Sequence, residues 1–160
     1  MNSLLYKEPV IRAERSIKEF DPNLEIIFLE QTARTAQDAA TALGCNVGAI
    51  VKSLLFSTGD NFVLCLVSGD QRCSLNKLKK FLDKRDVFMA KPKDVKKITG
   101  YTIGGVSPVG HLTKIKIYID SNLERFTTVF AAAGHPNCVF KINYNQLINL
   151  TSGEIKELTE

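Results

Sequence analysis

Gly104-Gly105-Val106-Ser107-Pro108-Val109-Gly110-His111 places three glycines and one proline within eight residues. Neither a helix interior nor a central strand tolerates that composition, because glycine loses the most backbone entropy on ordering and proline has no N–H to donate. The segment is therefore a loop, and its small residues let main chain approach a ligand and turn N–H groups toward it. Such donors hold a carbonyl oxygen or a phosphate. A structural turn between strands explains the same glycines without any ligand.

Outward from this loop the chain reads as mixed α and β. Val10, Ile11, Ile17 and Phe20 recur at helical spacing from Glu8 to Phe20, closed by Asp21-Pro22. Glu25 to Leu29 is a short apolar strand. Thr35 has the character of an N-cap, followed by Asp38 and by alanines as far as Leu43-Gly44. Two strands, Ile50 to Phe56 and Phe62 to Val67, flank the turn residues Ser57 to Asn61 and suggest a hairpin. Ser74 caps a helix reaching Leu82, and Pro92 opens another over Lys91 to Thr99. Strands follow at Ile115 to Ile119, Thr127 to Ala133 and Val139 to Ile142, and Asn143 caps a last helix to about Leu150. No repeat or linker interrupts residues 1–160, so the expectation is a single α+β domain with a mixed, curved sheet and surrounding helices.

Composition narrows the function classes. The chain is 44% hydrophobic and 24% charged, with a formal net charge of +4, which permits a polyanionic partner without requiring one. No run of 18 apolar residues offers a membrane span, and Met1 to Glu8 lacks the apolar core of a signal peptide, so a cytoplasmic protein is expected. Cys45, Cys65, Cys73 and Cys138 are scattered, without a CxxC pair. They suit free thiols in a reducing compartment, two of them (Cys65 and Cys138) buried, better than a disulfide framework or zinc site. Neither a metal site nor a cofactor motif is visible.

Three places carry candidate chemistry. Lys52 stands in the apolar run Ile50-Val51-Lys52-Ser53-Leu54-Leu55-Phe56 and must either snorkel outward as an edge lysine or point into a pocket as a cation for an oxygen. Ser107 has the first glycine of a Gly-x-Ser-x-Gly elbow but not the last, which argues against a nucleophilic serine. His111 either starts a strand or faces a substrate. Ala131-Ala132-Ala133-Gly134-His135-Pro136 leaves room beside small residues and turns the chain at Gly134-His135-Pro136, where His135 is either a solvent-facing turn residue or a group that positions substrate or water. No spacing pairs a cysteine with a histidine for thiol hydrolysis. Lysines gather at Lys77, Lys79 and Lys80, at Lys84-Arg85, and at Lys91, Lys93, Lys96 and Lys97, as a solvated face or as contacts to a nucleic-acid backbone.

Taken in order, Thr35-Ala36-Gln37-Asp38-Ala39-Ala40, the Lys52 run, Thr99 to His111, Ile119-Asp120 and Ala132 to Pro136 resemble the YbaK/ProX family, free-standing relatives of the editing domain inserted in bacterial prolyl-tRNA synthetases. The likeness covers about Glu25 to Leu158. It implies a deacylase that hydrolyses mischarged aminoacyl-tRNA in trans, recognising the acceptor end, with a synthetase as a further partner and no cofactor. Lys52 matches the family lysine that contacts the terminal nucleotide, Gly104 opens the Gly-x-x-x-Pro loop near the scissile carbonyl, and His135 matches a position of substrate placement. Ser53, Gly105, Ser107, Pro108, Gly110, His111 and Gly134 follow as substrate-binding residues of the same segments. Pro136-Asn137-Cys138-Val139 departs from members that favour cysteinyl-tRNA, which leaves the amino acid open. An inactive binding module of the same fold, taking tRNA or a nucleotide, is the alternative, and a purely structural interaction protein a third reading.

Overall fold

Val10, Ala13 and Ile17 are buried along one face of helix α1, Glu8–Phe20, and Pro9 sits in its first turn where no hydrogen-bond donor is missed. The helix stops at Asp21, whose N–H donates to the Ile17 carbonyl at 3.1 Å. The structure, a computed structural model, describes residues 3–30 and 35–160, so Met1 and Asn2 of the segment read for a signal peptide lie outside the described residues. Strand β1 is Ile26–Phe28. Helix α2, Ala36–Leu43, begins as its sequence suggests, with the Thr35 hydroxyl accepting from the Asp38 N–H at 3.1 Å.

Strands β2 (Val51–Ser57) and β3 (Phe62–Ser68) form the expected antiparallel hairpin, in register from Val51 opposite Ser68 to Ser57 opposite Phe62. Helix α3 is Leu75–Leu82, capped by Ser74, and α4 is Pro92–Thr99. Between them lies strand β4, Phe88–Met89, two exposed residues that no periodicity reveals. Strands β5 (Lys116–Asp120), β6 (Val129–His135) and β7 (Cys138–Ile142) follow. Helix α5, Tyr144–Thr151, opens with a full capping box between Asn143 and Gln146, and β8, Glu154–Lys156, is a short exposed strand.

The strands assemble into a five-stranded mixed sheet, ordered β4-β2-β3-β5-β8, and a three-stranded antiparallel sheet, β1-β7-β6. The β3–β5 and β5–β8 pairs are parallel. A single parallel bridge, Ile50 to Phe130, joins the two sheets. Leu64, Leu66 and Ile119 of the larger sheet, Phe140 of the smaller one, and Tyr101 and Leu147 are fully buried in the core between them. Cys65 and Cys138 are buried as expected, and all four thiols are free. Among the described residues no helix is long and apolar enough to cross a membrane.

One boundary differs from expectation. Of the expected turn Gly134-His135-Pro136 only Pro136 lies in it: β6 continues through Gly134 and His135, His135 pairs with Cys138, and the turn is Pro136-Asn137. A bulge between Ala132 and His135 takes up the extra residues, which is why a glycine is accepted inside the strand.

Candidate active site

Main-chain groups along β2 alternate in direction. The Gly69 N–H donates to the Ile50 carbonyl on the β3 side at 2.7 Å, whereas the Ala90 N–H donates to the Leu55 carbonyl on the other side at 2.9 Å. Ser53, two residues before Leu55, therefore turns its N–H and C=O away from β3. Strand β4 pairs with β2 only at Phe56 and Ser57, and β6 touches it at Ile50. Between those two contacts the edge of β2 is open, and a cavity of about 290 Å³ occupies the gap. Val51, Leu55, Val95, Val106, Ala132 and Val139 make its apolar walls. Ile103 and Met89, 60% and 51% exposed, stand at its mouth with Gly104 and Pro136.

Side-chain alternation sorts the residues of β2. Val51 and Leu55 belong to the main core, and Phe56 to a second one with Val63, Leu78 and Tyr118. Lys52 and Leu54 share the Phe56 face; Ser53 shares the other. Lys52 is half-buried at the strand edge and donates from Nζ to the Gln71 carbonyl at 2.5 Å. Burial pushes its pKa below that of a free lysine; Cys73 and Asp70 nearby pull it back and Arg72 pushes it further down. The Ser53 hydroxyl is buried and has no hydrogen-bond partner among the described residues. Tested against the two readings of the sequence, Lys52 is an edge lysine that also lines a pocket.

The glycine loop divides into two halves. Gly104 is exposed at the cavity mouth with φ +92°, and a Cβ there would lie 3.4 Å from Pro136 Cγ. Gly105 presses against the end of β6, where a Cβ would meet His135 Cα at 2.9 Å, and its carbonyl accepts from the Gly134 N–H at 3.1 Å. Its own N–H is taken by the Thr102 carbonyl at 3.0 Å. The N–H groups of Gly104 and Val106, both of which line the cavity, have no bonded partner among the described residues.

The second half of the loop faces α1 instead. Ser107 is fully buried; its hydroxyl accepts from the Val109 N–H at 3.4 Å and its carbonyl from His111 Nε2 at 2.7 Å. Pro108 is buried beside it. The Gly110 carbonyl takes bonds from Arg12 Nε at 2.7 Å and from the Tyr101 hydroxyl at 3.1 Å. Arg12 also lies over the Tyr101 ring, 4.6 Å from its centroid. His111 meets the same ring edge-on, and burial lowers its pKa, with the Arg12 charge acting in the same direction.

The structure thus brings Lys52, Ser53 and Gly104 to one cavity, while Gly105, Ser107, Pro108, Gly110, His111, Gly134 and His135 stand behind or beside it. His135 accepts at Nδ1 from the Asn137 N–H at 3.0 Å and so braces the turn that carries Pro136. Partial burial and the charge of Lys7 lower its pKa. Sequence reading overlooked Arg12, whose pairing with Glu8 one helical turn earlier was the only local signal, and the wall residues Met89, Val95 and Val139, which come from elements that only the fold assembles.

Sequence and structure comparisons point the same way. The sequence profile of the aminoacyl-tRNA editing domain matches residues 30–150. A candidate Cys-tRNA(Pro)/Cys-tRNA(Cys) deacylase of Enterococcus faecalis, EbsC, is 29% identical over 128 residues, covering 78% of this chain and 77% of that protein. The proline–tRNA ligase of Fervidobacterium nodosum is 39% identical over 112 residues, which is 70% of this chain and 19% of the ligase. The crystal structure of a candidate trans-editing enzyme for prolyl tRNA synthetase superposes with a TM-score of 0.91 at 35% identity, covering 96% of this chain and 98% of that one. The chain belongs to the aminoacyl-tRNA editing domain family, shares the fold of that solved structure, and is an editing hydrolase of mischarged aminoacyl-tRNA.

Proposed function

We propose that residues 1–160 act in the cytoplasm as one free-standing editing domain that hydrolyses the aminoacyl ester in trans, holding the amino acid in the cavity beside β2 and the tRNA acceptor end against its mouth. The observation that carries this reading is that Lys52, the open edge at Ser53 and Gly104 line one largely apolar cavity of about 290 Å³. That volume suits an amino-acid side chain and is too small for a nucleoside as well. The unpaired N–H groups of Gly104 and Val106 and the cationic Nζ of Lys52 are the groups placed to stabilise the oxyanion that forms when water attacks the ester carbonyl. An activated ester needs little more than that and correct orientation. The main chain of Ser53 receives the α-amino group and carbonyl of the bound residue.

His135 serves as a positioning residue, because it fixes the Pro136 turn opposite Gly104. Ser107, Pro108, Gly110 and His111 hold the loop in place, and Gly105 with Gly134 sets its distance from β6. The apolar walls favour a small side chain, with overlap between neighbours in size, since one methylene changes discrimination by only about 1–3 kcal/mol. Release of labelled amino acid from alanyl-, seryl-, threonyl-, cysteinyl- and prolyl-tRNA tests the proposal. Rapid release from one or a few small aminoacyl-tRNAs is expected; no release from any of them by folded protein would contradict it.

A further inference from the structure

Nζ of Lys52 is tethered to a turn rather than to another strand. Its acceptor, the Gln71 carbonyl, belongs to Gly69-Asp70-Gln71-Arg72, which leaves the end of β3. An ammonium has donors to spare beyond that one bond, so the tether still leaves some for a substrate oxygen. The stem of a lysine is flexible, and the place of its charge depends on where the tethering carbonyl is held. We infer that Asn122 holds it: the Asn122 amide grips Gln71 from behind and so places the Lys52 charge for the reaction. This rests on the deacylase reading and adds to it a positioning residue from a distant segment of the chain.

Asn122 is half-buried in the short 3-10 helix Ser121–Arg125 that follows β5. Its side-chain nitrogen donates to Gln71 Oε1 and to Thr159 Oγ1, each at 3.0 Å, which uses both of its hydrogens. Asp120, fully buried, sets the place of Asn122 in turn. Its Oδ2 accepts from the Asn122 N–H at 3.1 Å and from the Thr159 hydroxyl at 3.4 Å, and its Oδ1 from the Leu158 N–H at 2.7 Å. A buried carboxylate with both oxygens occupied resists displacement, because moving its donors would leave a charge unsatisfied. The other ties on the turn act at its two ends. The Gly69 N–H donates to the Ile50 carbonyl at 2.7 Å and the Gln71 N–H to the Ser68 carbonyl at 3.1 Å, while the Arg72 carbonyl accepts from the Glu160 N–H at 3.1 Å. Arg125 reaches Asp70 from the same 3-10 helix, but these side chains are 40% and 30% exposed, and a surface pair of that kind contributes little. The side chain of Gln71 itself is gripped by Asn122.

The experiment takes whichever of the alanyl-, seryl-, threonyl-, cysteinyl- and prolyl-tRNAs wild type hydrolyses fastest. It measures kcat and KM for wild type, Asn122→Leu, Gln71→Met, Lys52→Met and the double variant Asn122→Leu/Lys52→Met, with thermal unfolding of each. Asn122→Leu removes the donors, and Gln71→Met removes the acceptor while keeping the carbonyl that Lys52 uses. Each is expected to lower kcat by about tenfold, as a small misplacement of a charged group does, with KM within about twofold of wild type. On the Lys52→Met background Asn122→Leu should cost nothing further, since its effect passes through the lysine. Ile142→Val, a core change away from the cavity, is the control for stability: it lowers the unfolding midpoint and leaves both constants unchanged. Wild-type kcat in folded Asn122→Leu overturns the inference, as does an equal loss on the Lys52→Met background or a similar loss in Ile142→Val. Lys52→Met acting as fast as wild type removes the role of the cation and this inference with it. Failure of wild type to hydrolyse any of these tRNAs overturns the deacylase reading itself.

Discussion

Burial lowers the pKa of Lys52 and the Arg72 charge adds to that, against the opposite pull of Cys73 and Asp70. The protonated form is therefore lost as pH rises through a value below the 10.5 of an unperturbed lysine. Deacylation, corrected for spontaneous ester hydrolysis, should decline on the alkaline side with a midpoint below that value; a rate that stays flat to pH 10.5 would contradict the role of the cation. His111 is depressed too, chiefly by burial with the Arg12 charge adding to it against the upward pull of its bond to the Ser107 carbonyl, so the unfolded chain takes up a proton that the folded one refuses. Its contribution to stability is complete above the unfolded pKa of about 6.5 and is lost as pH falls through the lower folded value. Urea unfolding at pH 7.5 and 5.0 should show this loss, and His111→Gln should reduce it, with His135 retaining a share. Adjacent glycines in the loop separate by cause. Gly104→Ala meets only ordinary contacts, and its cost of roughly 1–2 kcal/mol comes from the positive φ. Gly105→Ala pushes a methyl into the His135 backbone and should cost more. Equal unfolding midpoints for the two variants would refute that distinction.

Between elements, Arg12 ties α1 to the loop through the Gly110 carbonyl and the face of Tyr101. Its side chain is only 15% exposed, so Arg12→Met leaves a poorly hydrated carbonyl and should destabilise by about 2 kcal/mol. The same change should raise KM by loosening the loop, and a variant with wild-type stability would contradict the tie. Helix boundaries were readable because caps are local: Thr35, Ser74 and Asn143 each accept from an N–H three residues on. Strands β4 and β8 were not, since two or three exposed residues carry no alternation and exist by virtue of their partners β2 and β5. Gly134 misled for a related reason. A glycine before His-Pro signals a turn, but its N–H finds the Gly105 carbonyl across the loop, a contact invisible along the chain.

At the scale of the whole molecule, the sequence made Lys52 and Gly104 legible as partners only through resemblance, because 51 intervening residues separate them and two sheets must meet at Ile50 before they share a cavity. The order of the loop's two halves was illegible, since Arg12 and Tyr101, not the loop's own composition, decide which half faces the substrate. Helix α4 joins the cavity to the surface: Val95 lines the wall while Lys93, Lys96 and Lys97 are exposed to solvent. If those lysines meet the tRNA backbone, KM should rise steeply with salt while kcat holds, and Lys96→Ala with Lys97→Ala should flatten the slope. An unchanged slope would return them to the role of a solvated face. The most direct measurement is single-turnover hydrolysis of the best aminoacyl-tRNA by wild type and Lys52→Met, with unfolding followed on the same samples. A loss of about a hundredfold or more at unchanged stability is the predicted result. A Lys52→Met protein that hydrolyses the ester as fast as wild type would contradict the account.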